Sequence, residues 1–314
     1  MFFKTKYPYS KELKRPVTFG NVDMQKAIDS GKMLKAIDFM TRPVKKFKTD
    51  EVKLSAGEYT SFDGEKIPYY LFTPKEKRET YPAMIYYHGG GFMYPIQEPM
   101  MKNSVIYAKK VGIKVFLPDV RISLQHPCDT ILEDCYGMLK YVFTHAKELE
   151  IDTGRVFVYG DSAGGSLAAS VTQLCRDRDG YPLCGQLLCY PVCDCESQKY
   201  ESVETYKDAV WSKSANQAMW NTFLRNGTKM PQYAVPMRND LQDLPKAYVE
   251  PLEIDILRDE ALAYAKKLRA AGVEVTENLI KGAYHGYDAD LKSSLVQRSF
   301  AARMEFMREI LGEL

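Results

Sequence analysis

Ser162 is the first candidate for chemistry, because it lies at the centre of a glycine-flanked pattern in residues 159–166, YGDSAGGS. Residues 160–164 read G-x-S-x-G; a strand-like run, RVFVYG, precedes them and a helix-like run follows. A sharp turn from strand to helix exposes the central serine above a sheet, and the glycines let neighbouring segments approach closely. The pattern therefore predicts a serine nucleophile at Ser162.

A serine nucleophile needs an adjacent base, and the chain has four histidines. His88 belongs to a run of glycines, His126 precedes a proline in a predicted loop, and His145 falls inside a predicted helix. His285 lies in a glycine-flanked loop after the last predicted strand. Open α/β folds bind ligands at this edge of the sheet, so His285 is the predicted base.

The base in turn needs a carboxylate that holds its tautomer. In one group of serine enzymes the order along the chain is serine, acid, histidine, which places the acid between residues 162 and 285. Asp255 follows the predicted strand KAYVEP, whereas Asp259 and Glu260 lie where the next helix begins. Acidic residues at a helix start have a structural role, since they complement the helix dipole, so we favour Asp255.

Three consecutive glycines, Gly89, Gly90 and Gly91, follow the strand-like run AMIYYH. Glycine lets the backbone approach a ligand closely and adopt a positive φ. Acyl transfer builds negative charge on a carbonyl oxygen, which backbone N–H groups stabilise. We predict that this loop and the N–H of Ala163 form an oxyanion hole, and that His88 fixes the loop rather than transferring protons.

The elements around these residues alternate between strands and helices, which predicts an α/β fold with a mostly parallel sheet covered on both faces. An antiparallel hairpin with its turn at residues 63–65 opens this region. Further strands are predicted in residues 83–88, 113–120, 155–160, 186–191, 246–251 and 273–280, and helices in residues 98–112, 130–149, 165–180, 258–272 and 293–314.

Two segments fall outside this alternation: residues 1–50, which are polar and basic, and residues 197–227, which are helix-like and aromatic. We predict that residues 1–50 and 197–230 form a helical cap on a core of residues 51–196 and 231–314. Substrate pockets are largely apolar and aromatic, so the candidates for lining one are Phe92, Asp161, Trp211 and Trp220. The alternative is that both tryptophans and Phe223 are simply the core of the cap.

The overall charge excludes one class of partner. Lys and Arg number 43 and Asp and Glu 41, a net charge of +2, which gives no support for nucleic-acid binding. No run of about 18 apolar residues indicates a membrane span, and the N-terminal residues lack the pattern of a signal peptide. We expect a cytoplasmic protein without a membrane span.

The chain has seven cysteines, an odd number that favours free thiols in an intracellular protein. Cys189, Cys193 and Cys195 lie close together, but their spacing matches no common zinc pattern. We expect no metal site and no cofactor, while a disulfide within this group stays open.

These motifs together resemble the hormone-sensitive lipase branch of the α/β-hydrolases. The resemblance is carried by HGGGF (residues 88–92), GDSAGG (160–165), DILRDE (255–260), YHGY (284–287) and the stretch 118–135. It implies an eight-stranded, mostly parallel sheet with a helical cap, and metal-independent hydrolysis of carboxylic esters through an acyl-serine. The triad acid of that family is the first aspartate of D-P-L-x-D-E, which maps onto Asp255, although Ile256 here replaces the proline.

The resemblance makes a carboxylesterase with a small-molecule ester substrate, of short acyl chain, the predicted function. A carbohydrate acetylesterase, an amidase or a peptidase would use the same triad and stays open. A non-catalytic ligand receptor is the alternative from another class, since gibberellin receptors are similar to this family but lack the catalytic histidine. His285 disfavours that alternative. A homodimer is expected by analogy alone.

Overall fold

A single eight-stranded sheet forms the centre of the computed structural model, which describes residues 7–16 and 23–312. Its order is β1-β2-β4-β3-β5-β6-β7-β9, and β8 and β10 form a separate parallel pair. The strands, numbered along the chain, are β1 Lys53–Thr60, β2 Lys66–Thr73, β3 Tyr81–Tyr87, β4 Lys114–Pro118, β5 Ile151–Asp161, β6 Leu183–Cys189, β7 Ala247–Glu250, β8 Leu252–Ile254, β9 Val275–Glu277 and β10 Ile280–Tyr284.

The strands of the large sheet pair mostly in parallel. The outer hairpin, β1 with β2, is antiparallel, as is the pair β2 with β4; every other neighbouring pair in the large sheet is parallel. Strands β3 and β4 are buried at every residue, which is typical of parallel strands covered on both faces. The predicted eight-stranded, mostly parallel sheet of an α/β fold is therefore confirmed.

The helices cover the two faces of the sheet. Alternate residues of β3 enter different cores: Ile85 packs in the core that α4, α5 and α9 cover, and Tyr86 in the core that α3 and α10 cover. The α-helices are α1 Met24–Asp29, α2 Lys32–Lys45, α3 Glu98–Val111, α4 Cys128–Thr144, α5 Ala163–Asp177, α6 Glu201–Thr205, α7 Lys213–Phe223, α8 Pro231–Ala234, α9 Arg258–Ala270 and α10 Ser294–Leu311. Within the described ranges, no helix combines the length and the apolar character that crossing a membrane requires.

The predicted strand over residues 273–280 is wrong in its extent. Only Val275–Glu277 pairs with β7, and the chain then turns away, so that Ile280 begins β10 beside β8. Backbone bonds fix this change of partner, because the N–H of Asn278 donates to Val249 and that of Ile280 donates to Pro251. The short strand β8, which ends next to Asp255, was not predicted.

The described parts of the N-terminal segment pack against helix α7 and along the loop after β10. Helix α1 packs against α7. Residues 7–16 lie along the loop after β10: the N–H of Ser10 donates to Gly282 at 2.9 Å, and the hydroxyl of Tyr284 donates to the carbonyl of Lys14 at 3.0 Å. Both segments thus converge on the part of the chain that carries His285.

Candidate active site

Ser162 occupies a strained turn between β5 and α5. Its φ of 56° and ψ of −123° place a non-glycine residue in a sparsely populated backbone region. A Cβ on Gly160 would lie 2.0 Å from the carbonyl oxygen of Gly164, and a Cβ on Gly164 would lie 2.0 Å from that of Tyr87. Both glycines are therefore required by the close approach of the backbone, as the G-x-S-x-G pattern indicated.

Three predicted residues meet in one chain of hydrogen bonds. The Oγ of Ser162 lies 2.9 Å from Nε2 of His285, and Nδ1 of His285 lies 2.7 Å from Oδ2 of Asp255. A carboxylate only accepts, so Nδ1 carries the proton in the neutral ring and Nε2 is left to accept from the serine hydroxyl. This is the arrangement of a nucleophile, a base and an orienting acid.

Asp255 is almost fully buried, with 1% exposure, and its second oxygen accepts the N–H of Leu257 at 3.1 Å. The two rival carboxylates have other partners. Asp259 accepts the N–H of Ser202 at 2.7 Å and bonds the neighbouring arginine. Glu260 accepts the N–H of Cys193 at 2.7 Å, and burial raises the pKa of its carboxyl well above the usual range. Only Asp255 of the three contacts the imidazole.

Two aromatic rings hold the imidazole from other directions. The ring of Trp211 is stacked on that of His285, with centroids 5.6 Å apart and an angle of 26° between the planes. The ring of Tyr190 meets the same imidazole at 72°, with centroids 5.2 Å apart. Together with the bonds to Ser162 and Asp255, these contacts fix the orientation of the base.

The glycine loop turns back beside the start of α5. Gly90 and Gly91 have φ values of 112° and 60°, a region that glycine enters without strain. The N–H of Gly89 donates to the carboxylate of Asp161 at 3.3 Å, so this N–H has a partner within the protein. Ala163 is the first residue of α5, where a backbone N–H has no acceptor inside the helix. The N–H groups of Gly90, Gly91 and Ala163 are thus the better candidates to meet an oxyanion.

His88 lies beneath this loop. Its Nδ1–H donates to the carbonyl of Gly89 at 2.8 Å, and its side chain is buried. Burial lowers the pKa of His88, which favours the neutral ring. The contact agrees with a residue that fixes the loop.

Asp161 supports the loop from the other side, a role that the sequence did not indicate. Its carboxylate is 8% exposed and faces Gly89, and a Cβ on Gly89 would lie 2.6 Å from its Oδ2. Burial, together with the nearby charge of Asp288, raises the pKa of Asp161 to about 7.

The remaining predicted pocket residues, Phe92, Trp211 and Trp220, lie in two different places. Phe92 and Trp220 are each 5% exposed and pack in one aromatic cluster, in which Phe92 stacks on Phe223 at 3.9 Å. Trp211 is half-buried and borders both the glycine loop and His285. The two tryptophans therefore differ, since Trp220 packs against Phe92 and Phe223 and Trp211 contacts His285.

A buried ionic cluster behind Tyr190 was missed by the sequence reasoning. The hydroxyl of Tyr190 donates to Asp288 at 2.7 Å, and Asp288 accepts from the fully buried Arg303 at 3.1 Å. Arg303 also donates to both oxygens of Glu250, at 2.5 and 2.9 Å. Tyr190 follows β6, and its position at the carboxyl end of a parallel strand was the available signal.

The seven cysteines are all free thiols, including Cys189, Cys193 and Cys195. Among the residues that the structure describes, no group of three or more histidine, cysteine, aspartate or glutamate side chains is arranged to hold a metal ion.

Comparisons with known proteins point to ester hydrolases of one fold family. A family model of the alpha/beta hydrolase fold matches residues 84–289. The chain is 32% identical over 235 residues to the carboxylesterase NlhH of Mycobacterium tuberculosis, covering 72% of this chain and 73% of that protein. It is 27% identical over 255 residues to an arylesterase of Saccharolobus solfataricus, covering 76% of each. A solved structure of a bacterial heroin esterase superposes with a TM-score of 0.80 at 29% identity, covering 93% of each chain.

Proposed function

The chain belongs to the α/β-hydrolase fold family, in its hormone-sensitive lipase branch, and on that premise we propose that Ser162, His285 and Asp255 are its catalytic triad. The protein is a carboxylic ester hydrolase. The observation that carries the assignment of the triad is the unbroken chain of two hydrogen bonds, 2.9 and 2.7 Å long, from the serine hydroxyl to the buried carboxylate.

The reaction begins when Ser162 attacks the ester carbonyl carbon and His285 takes the serine proton on Nε2. The carbonyl oxygen becomes an oxyanion, to which the N–H groups of Gly90, Gly91 and Ala163 donate. His285 then gives the proton to the departing alkoxide, which leaves as the alcohol. An acyl-serine remains.

Water completes the cycle. His285 removes a proton from a water molecule, the hydroxide attacks the acyl carbon, and the same N–H groups hold the second oxyanion. The resulting tetrahedral intermediate then collapses, and its bond to the oxygen of Ser162 breaks. That oxygen recovers the proton from Nε2 of His285. Asp255 keeps the Nδ1–H in place and stabilises the imidazolium in both halves of the cycle.

The helices and segments that converge on the triad support the proposed organisation into core and cap. We propose that residues 1–50 and 197–230 form the cap, and that residues 51–196 and 231–314 form the core. Support comes from the packing of α1 against α7 and from Trp211, which brings the insertion into contact with His285. The part of this cap in residues 1–6 and 17–22 lies outside the described residues.

Short acyl chains, acetyl to hexanoyl, are the proposed substrates. The packing of Phe92, Trp220 and Phe223 against one another beside the glycine loop supports this choice. An acetylated sugar would meet the same triad, and a rate series over acyl length that includes sugar acetates separates these substrates. The seven free thiols support a cytoplasmic location, and a homodimer stays a prediction.

Replacing the nucleophile tests this function. Ser162→Ala should fold as the wild type but lose hydrolysis of p-nitrophenyl acetate on the order of 10⁶-fold, because no other group takes over the attack. Ser166→Ala is the matched control, since Ser166 is a serine as buried as Ser162 and lies in the first turn of α5, four residues further on. A fluorophosphonate should label the wild type and the control but not Ser162→Ala. Labelling of a different residue, or an undiminished rate, would refute the assignment.

A further inference from the structure

One aromatic ring of the proposed cap, that of Trp211, contacts both the glycine loop and His285. Trp211 lies between α6 and α7, its indole is stacked on the imidazole of His285, and its Cη2 lies 3.1 Å from where a Cβ of Gly91 would be. The ring therefore spans the gap between the glycine loop and the base. Because Gly91 has no side chain, the edge of the indole can lie close to its backbone.

Hydrogen bonds hold this ring in place. Nε1 of Trp211 donates to Oδ1 of Asn216 at 3.1 Å, and Nδ2 of the same amide donates to the hydroxyl of Ser197 at 3.1 Å. Asn216 is 1% exposed. Moving the indole away from His285 would leave a buried amide oxygen without a partner, which is unfavourable. Trp211 is therefore a fixed boundary of the site.

The chemistry decides which half of an ester meets this boundary. Nε2 of His285 must protonate the leaving oxygen, so this oxygen has to come within about 3 Å of it. The carbons attached to the leaving oxygen then lie beside the imidazole, where the indole of Trp211 covers one face. The acyl chain leaves the carbonyl carbon in a different direction, away from the base.

We propose that Trp211 is a specificity-determining residue for the alcohol half of the ester. This inference rests on the proposed function. A flat or unbranched alcohol fits against the indole, whereas an alcohol branched at the carbon next to the leaving oxygen clashes with it. Removing the ring should relax the choice of alcohol and leave the preference for acyl length nearly unchanged.

Two substrate series test the proposal. The first keeps butyrate as the acyl group and varies the alcohol from ethyl to isopropyl and cyclohexyl. The second keeps p-nitrophenol and varies the acyl group from acetate to hexanoate. In Trp211→Ala, the ratio of kcat/KM for cyclohexyl over ethyl butyrate should rise at least about tenfold, since a removed clash in a pocket has effects of this size. The hexanoate-to-acetate ratio should change less than about threefold.

Two further variants separate specificity from folding. Trp211→Phe keeps an aromatic ring, but the smaller ring no longer extends to Gly91. Its alcohol ratio, the ratio of kcat/KM for cyclohexyl over ethyl butyrate, should therefore rise by about threefold, between the wild type and Trp211→Ala. This variant decides the question if Trp211→Ala does not fold. Phe223→Leu is the control for a loosened cap: Phe223 is buried in α7 and stacks on Phe92, so its loss should leave the alcohol ratio unchanged.

Labelling by a fluorophosphonate distinguishes the failure of this inference from that of the proposed function. If Ser162 is labelled and esters are hydrolysed, but the alcohol ratio does not move in the Trp211 variants, the role of Trp211 is refuted. A shift in the acyl ratio as large as that in the alcohol ratio, or the same alcohol shift in Phe223→Leu, also overturns it. If the wild type is neither labelled nor active on any ester, both proposals fail.

Discussion

Asp255→Asn is the substitution that isolates the orienting acid from the rest of the triad. The asparagine keeps the size of the side chain, and its carbonyl oxygen can still accept the N–H of Leu257, as Oδ1 of the carboxylate does at 3.1 Å. Its NH₂ group would then face Nδ1 of His285, where the carboxylate oxygen now lies at 2.7 Å. Two donors cannot bond, so the ring must place its proton on Nε2, which then cannot accept from Ser162.

The expected loss follows from the wrong tautomer and from the missing negative charge beside the imidazolium. An acid-to-amide exchange of this kind lowers kcat about 10⁴-fold. At 1.36 kcal/mol per factor of ten, this corresponds to about 5 kcal/mol of lost stabilisation of the transition state. KM should change little, because Asp255 is 1% exposed and does not meet the substrate.

Steady-state hydrolysis of p-nitrophenyl butyrate measures this effect, with thermal unfolding to show that the variant is folded. Asp259→Asn is the matched control, since its carboxylate bonds Ser202 and Arg258 and not the imidazole. We expect the control to retain kcat within about fivefold. A fall of less than tenfold in Asp255→Asn, or a larger fall in the control, would refute the assignment of the acid.

Three further predictions follow from the surroundings of the triad. Because the pKa of Asp161 is raised to about 7, the native protein holds a proton that the unfolded chain releases above about pH 4. Relative to Asp161→Asn, its free energy of unfolding should therefore fall by about 3 kcal/mol from pH 4 to pH 7, and a flat difference in urea titrations would contradict this. Arg303→Met leaves the buried carboxylates of Asp288 and Glu250 without their cation and should cost about 3–5 kcal/mol of stability in urea unfolding. A loss under about 1 kcal/mol would contradict a charged cluster. Gly160→Ala puts a Cβ 2.0 Å from the carbonyl oxygen of Gly164, so fluorophosphonate labelling of the variant should be lost; labelling at the wild-type rate would show that the turn can open.

The sequence predicted the triad because each member lies where a parallel strand ends. Ser162 follows β5 of the large sheet, whereas Asp255 and His285 follow β8 and β10 of the separate parallel pair, and the carboxyl ends of these strands lie together. The glycines carried equally direct information, since only glycine fits where two stretches of backbone touch. These features are local, and a single sequence contains them.

The contacts that orient His285 from the side were less accessible to sequence reasoning. Trp211 was a pocket candidate, but its stacking on the imidazole depends on how the insertion folds back over the sheet. The bonds from Tyr190 to Asp288 and from Arg303 to Glu250 join residues more than 50 positions apart, and no periodicity signals such pairing. The change of partner between β9 and β10 was missed for the same reason, because it rests on bonds to distant backbone groups.

The surroundings of Ser162 and those of His285 are held in place by different kinds of contact. This difference should govern how the activity responds to substitution at each place. Around Ser162, backbone touches backbone: the missing side chains of Gly160 and Gly164 bring β5, the glycine loop and α5 together. The proposed donors for the oxyanion are therefore held by the main chain, which would leave little reorganisation for the reaction to drive. His285 is instead held by the side chains of other residues, through two hydrogen bonds and two ring contacts. Substitutions of Gly160 or Gly164 should end activity abruptly, whereas those of Trp211 or Tyr190, which contact the imidazole only through their rings, should reduce it or redirect it by degrees.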